Sequence, residues 1–207
     1  MADRWSTDRL EAFSDGVFAI AITLLVLEIG VPEGDFDHLW KGIGDQWPSY
    51  LAYVTSFLTI GAIWLGHHAI FRRLHEADAN VMRLNLLLLM LVAFLPFPTK
   101  LVAEVIDLSG AESTAVIFYG IVLLATSLVS SALLRYIANH SDLLEPRVTR
   151  PEFEALERRA APNLGFYALV VVLALVAPQV AAVGYLAIAV ATVFRSHGDR
   201  AAGSASA

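Results

Sequence analysis

An uncharged run at residues 16–27, bracketed by Asp15 and Glu28, sets the tightest constraint on this chain. These twelve residues, coiled as a helix, rise only about 18 Å. A hydrocarbon core is about 30 Å thick. A span built on this run therefore carries one or both carboxylates near or below the headgroups. That is costly against lipid and tolerable inside a bundle or beside water. The run predicts an interior helix rather than a lipid-facing one.

Composition places that helix in a membrane. Of 207 residues, 57% are apolar and 16% charged, with a mean hydropathy of +0.63; soluble domains carry about 25% charged residues. The absence of cysteine excludes disulfides and thiolate metal sites. A net charge of −6 argues against nucleic acid as a partner. Arg4 and Arg9 are outweighed by Asp3, Asp8, Glu11 and Asp15, and no small-residue cleavage pattern follows, so the run reads as a retained span rather than a signal peptide.

Four further uncharged runs follow, at 46–66, 84–99, 113–134 and 160–194. Pro48 suits the first turn of the second span, and Pro96 and Pro98 suit the end of the third. The last run would be about 52 Å long as one helix, too long for a bilayer. Pro178 divides it into a hairpin, with Pro162 and Asn163 opening the first half. The expected architecture is an all-α, polytopic, six-helix transmembrane domain over residues 1–195, with spans at about 13–31, 49–71, 82–100, 113–136, 163–178 and 180–195. Residues 196–207 are expected to be a disordered cytoplasmic tail.

With six spans, Arg4, Arg9, Arg72, Arg73, Arg83, Arg135, Arg147, Arg150, Arg158, Arg159, Arg195 and Arg200 share one side, and Lys41 and Lys100 lie on the other. This asymmetry puts both termini in the cytoplasm, and a cell (plasma) membrane location is expected. The sparsely basic side also holds Glu33, Asp35, Asp37, Asp45, Glu104, Asp107 and Glu112. An acidic face of that kind raises the local cation concentration; ordinary solvated loops explain it equally well.

Among polar residues, no hydrolase, metalloprotease, phosphate-loop or dinucleotide motif is present, so no enzyme and no cofactor is expected. His67 and His68 are adjacent, about 100° apart on a helix, and are poorly placed to grip one metal ion. Asp15, His67 or His68, and Asn85 fall near the same ends of the first three spans. Buried polar groups need partners, so they are expected to find one another, with Arg9 balancing Asp15. On the first span Ile20, Leu24 and Leu27 lie within about 60° of one another, Thr23 borders them, and Asp15 lies about 140° from Ile20. Taken alone, the Ile/Leu stripe is packing surface.

These residues resemble a known family. Arg9, Phe13, Ser14 and Asp15, followed by the stretch from Ile20 through Thr23 and Leu24 to Leu27, are similar to the RxxxFSD motif and first span of the transmembrane protein 175 family of potassium-permeable channels. Trp64, His67, His68 and Phe71 match further, as does Asn85 running into Phe94, Pro96, Phe97, Pro98 and Thr99. The resemblance implies a homotetramer of six-span subunits in the lipid bilayer, with four first spans lining a central pore for potassium ions. It implies a hydrophobic constriction at Ile20, Leu24 and Leu27 that serves as gate and modest filter, and a polar ring at Thr23. Arg9, Ser14, Asp15, His67, His68 and Asn85 would form the structural polar network. Such an apolar ring closes by dewetting. Two other readings stay open: a proton-coupled or secondary cation transporter, which the Pro178 break permits, and a non-conducting membrane scaffold.

Overall fold

The structure is a computed structural model that describes residues 5–30, 38–105 and 111–203. Helix α1 (Thr7–Leu24) tightens into a 3₁₀ turn over Leu25–Glu28. Its buried residues Ser14, Phe18, Ala21 and Leu25 recur every three or four positions and form one stripe against α3 (Trp47–Phe71) and α4 (Ala79–Phe94). A short helix α2 (Leu39–Asp45) precedes α3, and Pro48 lies in the first turn of α3, where its missing N–H costs nothing.

The third apolar stretch bends at Leu95. Pro96 cannot supply the N–H that would continue the ladder, so α4 stops at Phe94 and α5 (Pro96–Val105) begins anew. The Leu95 N–H turns back to the Val92 carbonyl at 3.1 Å. Helix α6 (Glu112–Ala138) packs on α4, α5 and α7 (Arg150–Ala174), and α8 (Pro178–Gly203) closes against α3 and α7.

Four helical stretches are long and apolar enough to cross a membrane: Thr7–Glu28, Trp47–Phe71, Ala79–Val105 and Glu112–Ala138. The apolar portions of the last two helices, Asn163–Ala174 and Pro178–Phe194, are shorter, so six full-length spans are not present among the described residues. The first of these helices does not open at Pro162. It starts at Arg150, where Pro151 occupies the first turn and the Glu152 carboxylate accepts from the Thr149 N–H at 3.0 Å. Its polar first turns lie outside the apolar run. Helix α8 continues past residue 195 to Gly203, and residues 204–207 of the expected tail fall outside the described residues.

Two separate cores result. One joins Phe18, Leu25, Ile60, Leu88, Leu123 and Tyr185 within the bundle. The other joins Phe71, Val81, Leu133, Ile137, Leu143 and Phe153 at the arginine-rich end. Backbone pairing seals the second. Strand β1 (Trp5–Ser6) runs antiparallel to β2 (Glu76–Ala77), and the Glu145 N–H donates to the Arg73 carbonyl at 2.9 Å.

Asp78 fixes the start of α4. Its carboxylate accepts from the backbone N–H groups of Asn80 and Val81 at 3.0 and 2.9 Å and from the Tyr136 hydroxyl. Burial pushes the Asp78 carboxyl up, but the Tyr136 hydroxyl and the two N–H groups outweigh it and hold the carboxyl below its ordinary range. A folded-state pKa below the unfolded value gives stability that is present above the ordinary carboxylate range and lost as pH falls through the folded value. Asp78→Ala should cost about 1 kcal/mol, and acid unfolding of the wild type should lose a matching increment that the variant lacks. Thermal unfolding of both proteins across the acidic range checks this.

Candidate functional site

The two faces of α1 have opposite surroundings. On the packed face, Ser14 donates its hydroxyl to the Leu10 carbonyl at 2.8 Å and accepts from Asn85 Nδ2 at 3.0 Å. With its amide nitrogen committed there, Asn85 presents Oδ1 to His67 Nε2 at 2.8 Å. His67 therefore donates from Nε2. Ser14, His67 and Asn85 are all buried, and the chain of bonds crosses α1, α3 and α4. The His67 ring stacks on Phe71 at 4.1 Å and tilts against Phe18 at 5.3 Å, which excludes water from the junction. His67 Nδ1 has no hydrogen-bond partner among the described residues.

Asp15 accepts from Trp64 Nε1 at 2.8 Å. His68 takes a different partner: its Nδ1 lies 2.8 Å from Glu11 Oε1, an ion-pair distance whose angles miss those of a hydrogen bond. The His68 ring also stacks on Trp64. Arg9 is exposed and makes no ion pair with Asp15. The two are six positions apart, which puts them about 120° from each other around α1. The structure thus joins Ser14, His67 and Asn85 in one chain of bonds, gives Asp15 and His68 separate partners beside it, and leaves Arg9 outside. The sequence reading named Trp64 only in the family match and placed neither it nor Glu11 among these contacts. A donor-only indole three and four residues before the histidines was the available signal for Trp64.

On the other face, Ile20, Leu24 and Leu27 are 61%, 41% and 73% exposed within the single chain. Thr23 is exposed beside them. Its hydroxyl donates back to the Ala19 and Ile20 carbonyls, both at 3.0 Å, which leaves its oxygen lone pairs outward. Of the four long apolar stretches, the first is the least covered by the rest of the chain. At its far end Glu28 Oε2 meets Lys100 Nζ of α5 at 3.1 Å. No group of three or more His, Cys, Asp or Glu side chains among the described residues could hold a metal ion.

Comparison with known proteins gives this arrangement a family. Residues 9–96 match the model of the endosomal/lysosomal potassium channel TMEM175. The chain is 45% identical over 183 residues to a potassium channel of Streptomyces collinus, covering 87% of this chain and 89% of that one. It superimposes with a TM-score of 0.84 and 37% identity on the crystal structure of a lysosomal potassium-selective channel TMEM175 homolog from Chamaesiphon minutus, over 92% of this chain and 98% of that one. A chicken relative, named an endosomal/lysosomal proton channel, is 38% identical over 125 residues, 56% of this chain and 25% of its own length. That compartment overturns the plasma-membrane location expected from sequence. Charge asymmetry bears on which face of a membrane meets the cytoplasm, and it carries no information about which membrane that is. With relatives of this identity and coverage, and with the fold shared throughout, the chain belongs to the TMEM175 channel family.

Proposed function

We propose that this protein is a potassium-permeable, modestly selective cation channel, in which four copies of a six-span subunit bring their α1 helices around a central pore. The observation that carries this reading is the division of α1: a buried polar chain grips one face, and an apolar stripe centred on Ile20 is left uncovered on the other. A lone subunit gains nothing from holding one helix so firmly while leaving its Ile/Leu face bare. A ring of four such helices gives that face a use. Ile20, Leu24 and Leu27 would then form a constriction that excludes water when narrow, and its dilation would open the path. Thr23, with lone pairs turned outward, would offer four oxygens to a partly dehydrated cation. Ser14, Asp15, His67, His68 and Asn85 would hold the helix at its arginine-rich end, with Arg9 adding charge at the entrance.

In liposomes the purified protein should carry potassium faster than sodium by a modest factor, and cross-linking in mild detergent should trap four subunits. Equal rates for the two ions, or a monomer that conducts nothing, would defeat the proposal. The vertebrate relatives are named proton channels, which favours a second reading in which protons share the path. A pH-sensitive dye trapped in the same liposomes tests it.

A further inference from the structure

The Glu28–Lys100 pair holds a carboxylate that does not suit its own helix end. Glu28 closes the 3₁₀ turn after α1, at the negative end of the helix dipole, and Lys100 sits midway along α5. The carboxylate is accounted for by the ammonium, at 3.1 Å across two elements that the Pro96 break brings together. Lys41 and Lys100 are the only lysines in the chain, and Lys41 lies on α2. Lys100 is thus the basic group in this region of the fold. Glu104, one turn along α5, acts on the same ammonium. The three side chains line an open groove together with Leu24, Phe94 and Phe97. Leu24 also belongs to the uncovered stripe of α1, so the groove and the stripe are continuous.

We propose that Lys100 tunes conduction by neutralising Glu28 at the end of the ion path opposite the arginine-rich face. This rests on α1 lining the path. Four unpaired Glu28 carboxylates around a mouth would draw cations toward it, and four ammonium groups beside them cancel most of that field. The pair is half in solvent, with the two side chains 49% and 25% exposed, so its field is open to screening by salt. That makes ionic strength the diagnostic variable.

The experiment measures unitary potassium conductance of the full chain in planar bilayers at about 10 mM and about 1 M KCl, where the Debye length is about 30 Å and about 3 Å. Lys100→Gln should raise conductance at least about twofold in dilute salt and leave it near wild type in concentrated salt. Glu28→Gln should lower it in dilute salt. The exchange Glu28→Lys with Lys100→Glu keeps the pair and should conduct like wild type at both concentrations; it also serves if Lys100→Gln fails to assemble. An Ile20→Ala channel is measured alongside. If Lys100→Gln matches wild type in dilute salt while Ile20→Ala alters conduction, the role of Lys100 is overturned and the pore reading stands. If both are inert, both fall. A Lys100→Gln effect of equal size at 1 M KCl is structural and overturns the electrostatic role.

Discussion

Ile20→Ala is expected to raise potassium flux through liposome-reconstituted channels by at least about tenfold and to bring the potassium-to-sodium ratio close to one. The size follows from the barrier that the proposed ring of four Ile20 side chains would present. Truncation removes about three methylene equivalents per subunit, worth about 2.4 kcal/mol of hydrophobic character. Only about 1.4 kcal/mol of the total over four subunits need come off the barrier for a tenfold change in rate. The fold should hardly register the change. Ile20 is largely exposed and touches neither core, and substitutions of that kind fall within about 0.5 kcal/mol. A flux increase with an unshifted melting temperature therefore separates a gate from a packing residue. Ile20→Asn should act in the same direction and more strongly, because an amide wets the ring as well as widening it. If neither variant changed flux or selectivity, Ile20 would not be the constriction.

That separation could not be read in the sequence. The helical period of α1 is legible but the side it buries is not: taken alone, Ile20, Leu24 and Leu27 read as packing surface, whereas Ser14, Phe18, Ala21 and Leu25 face the bundle. The opposite stripe is equally apolar, so hydropathy cannot say whether lipid, a neighbour or a water-filled path meets it; the expectation of a pore face came from the RxxxFSD resemblance. The bend at Leu95 was foreshadowed by two prolines, but not its consequence, which is to carry Lys100 across to Glu28. The arginine-rich core was illegible. Its members Phe71, Val81, Leu133 and Phe153 lie far apart in sequence, and two-residue strands leave no pattern. The start of α7 was missed for a related reason. An uncharged run marks the part of a helix that suits a bilayer, whereas Thr149, Pro151 and Glu152 begin the helix among charges. The choice between His67 and His68 also lay beyond reach, because neighbours about 100° apart are sorted by the rotation of α3 against α4, a tertiary quantity.

Asn85→Leu should be the most destabilising single change in the polar layer. Leucine is close in volume and fits the apolar surroundings, so the loss isolates the hydrogen bonds. Two of them go: the acceptor for His67 Nε2 and the donor to Ser14 Oγ. Interhelical hydrogen bonds inside membranes average about 0.6 kcal/mol each, which would make the change mild. The greater cost comes from the buried His67 N–H left without an acceptor, at about 1–3 kcal/mol. Together they give about 2–4 kcal/mol, or a fall of several degrees in the melting temperature for a chain of this size, at about 2–4 °C per kcal/mol. Ser14→Ala should cost less, since the Ser14 hydroxyl spends its own proton on the Leu10 carbonyl of the same helix. The decisive measurement is a double-mutant cycle. In a His67→Phe background no imidazole donor remains to be orphaned, so Asn85→Leu should cost at least about 0.5 kcal/mol less than it does in wild type. Equal costs in the two backgrounds would mean that the His67–Asn85 bond does not hold α3 to α4. The anchoring of α1 would then rest on the Ser14–Asn85 and Asp15–Trp64 bonds, the Glu11–His68 contact and the packing of Phe18, Ala21 and Leu25.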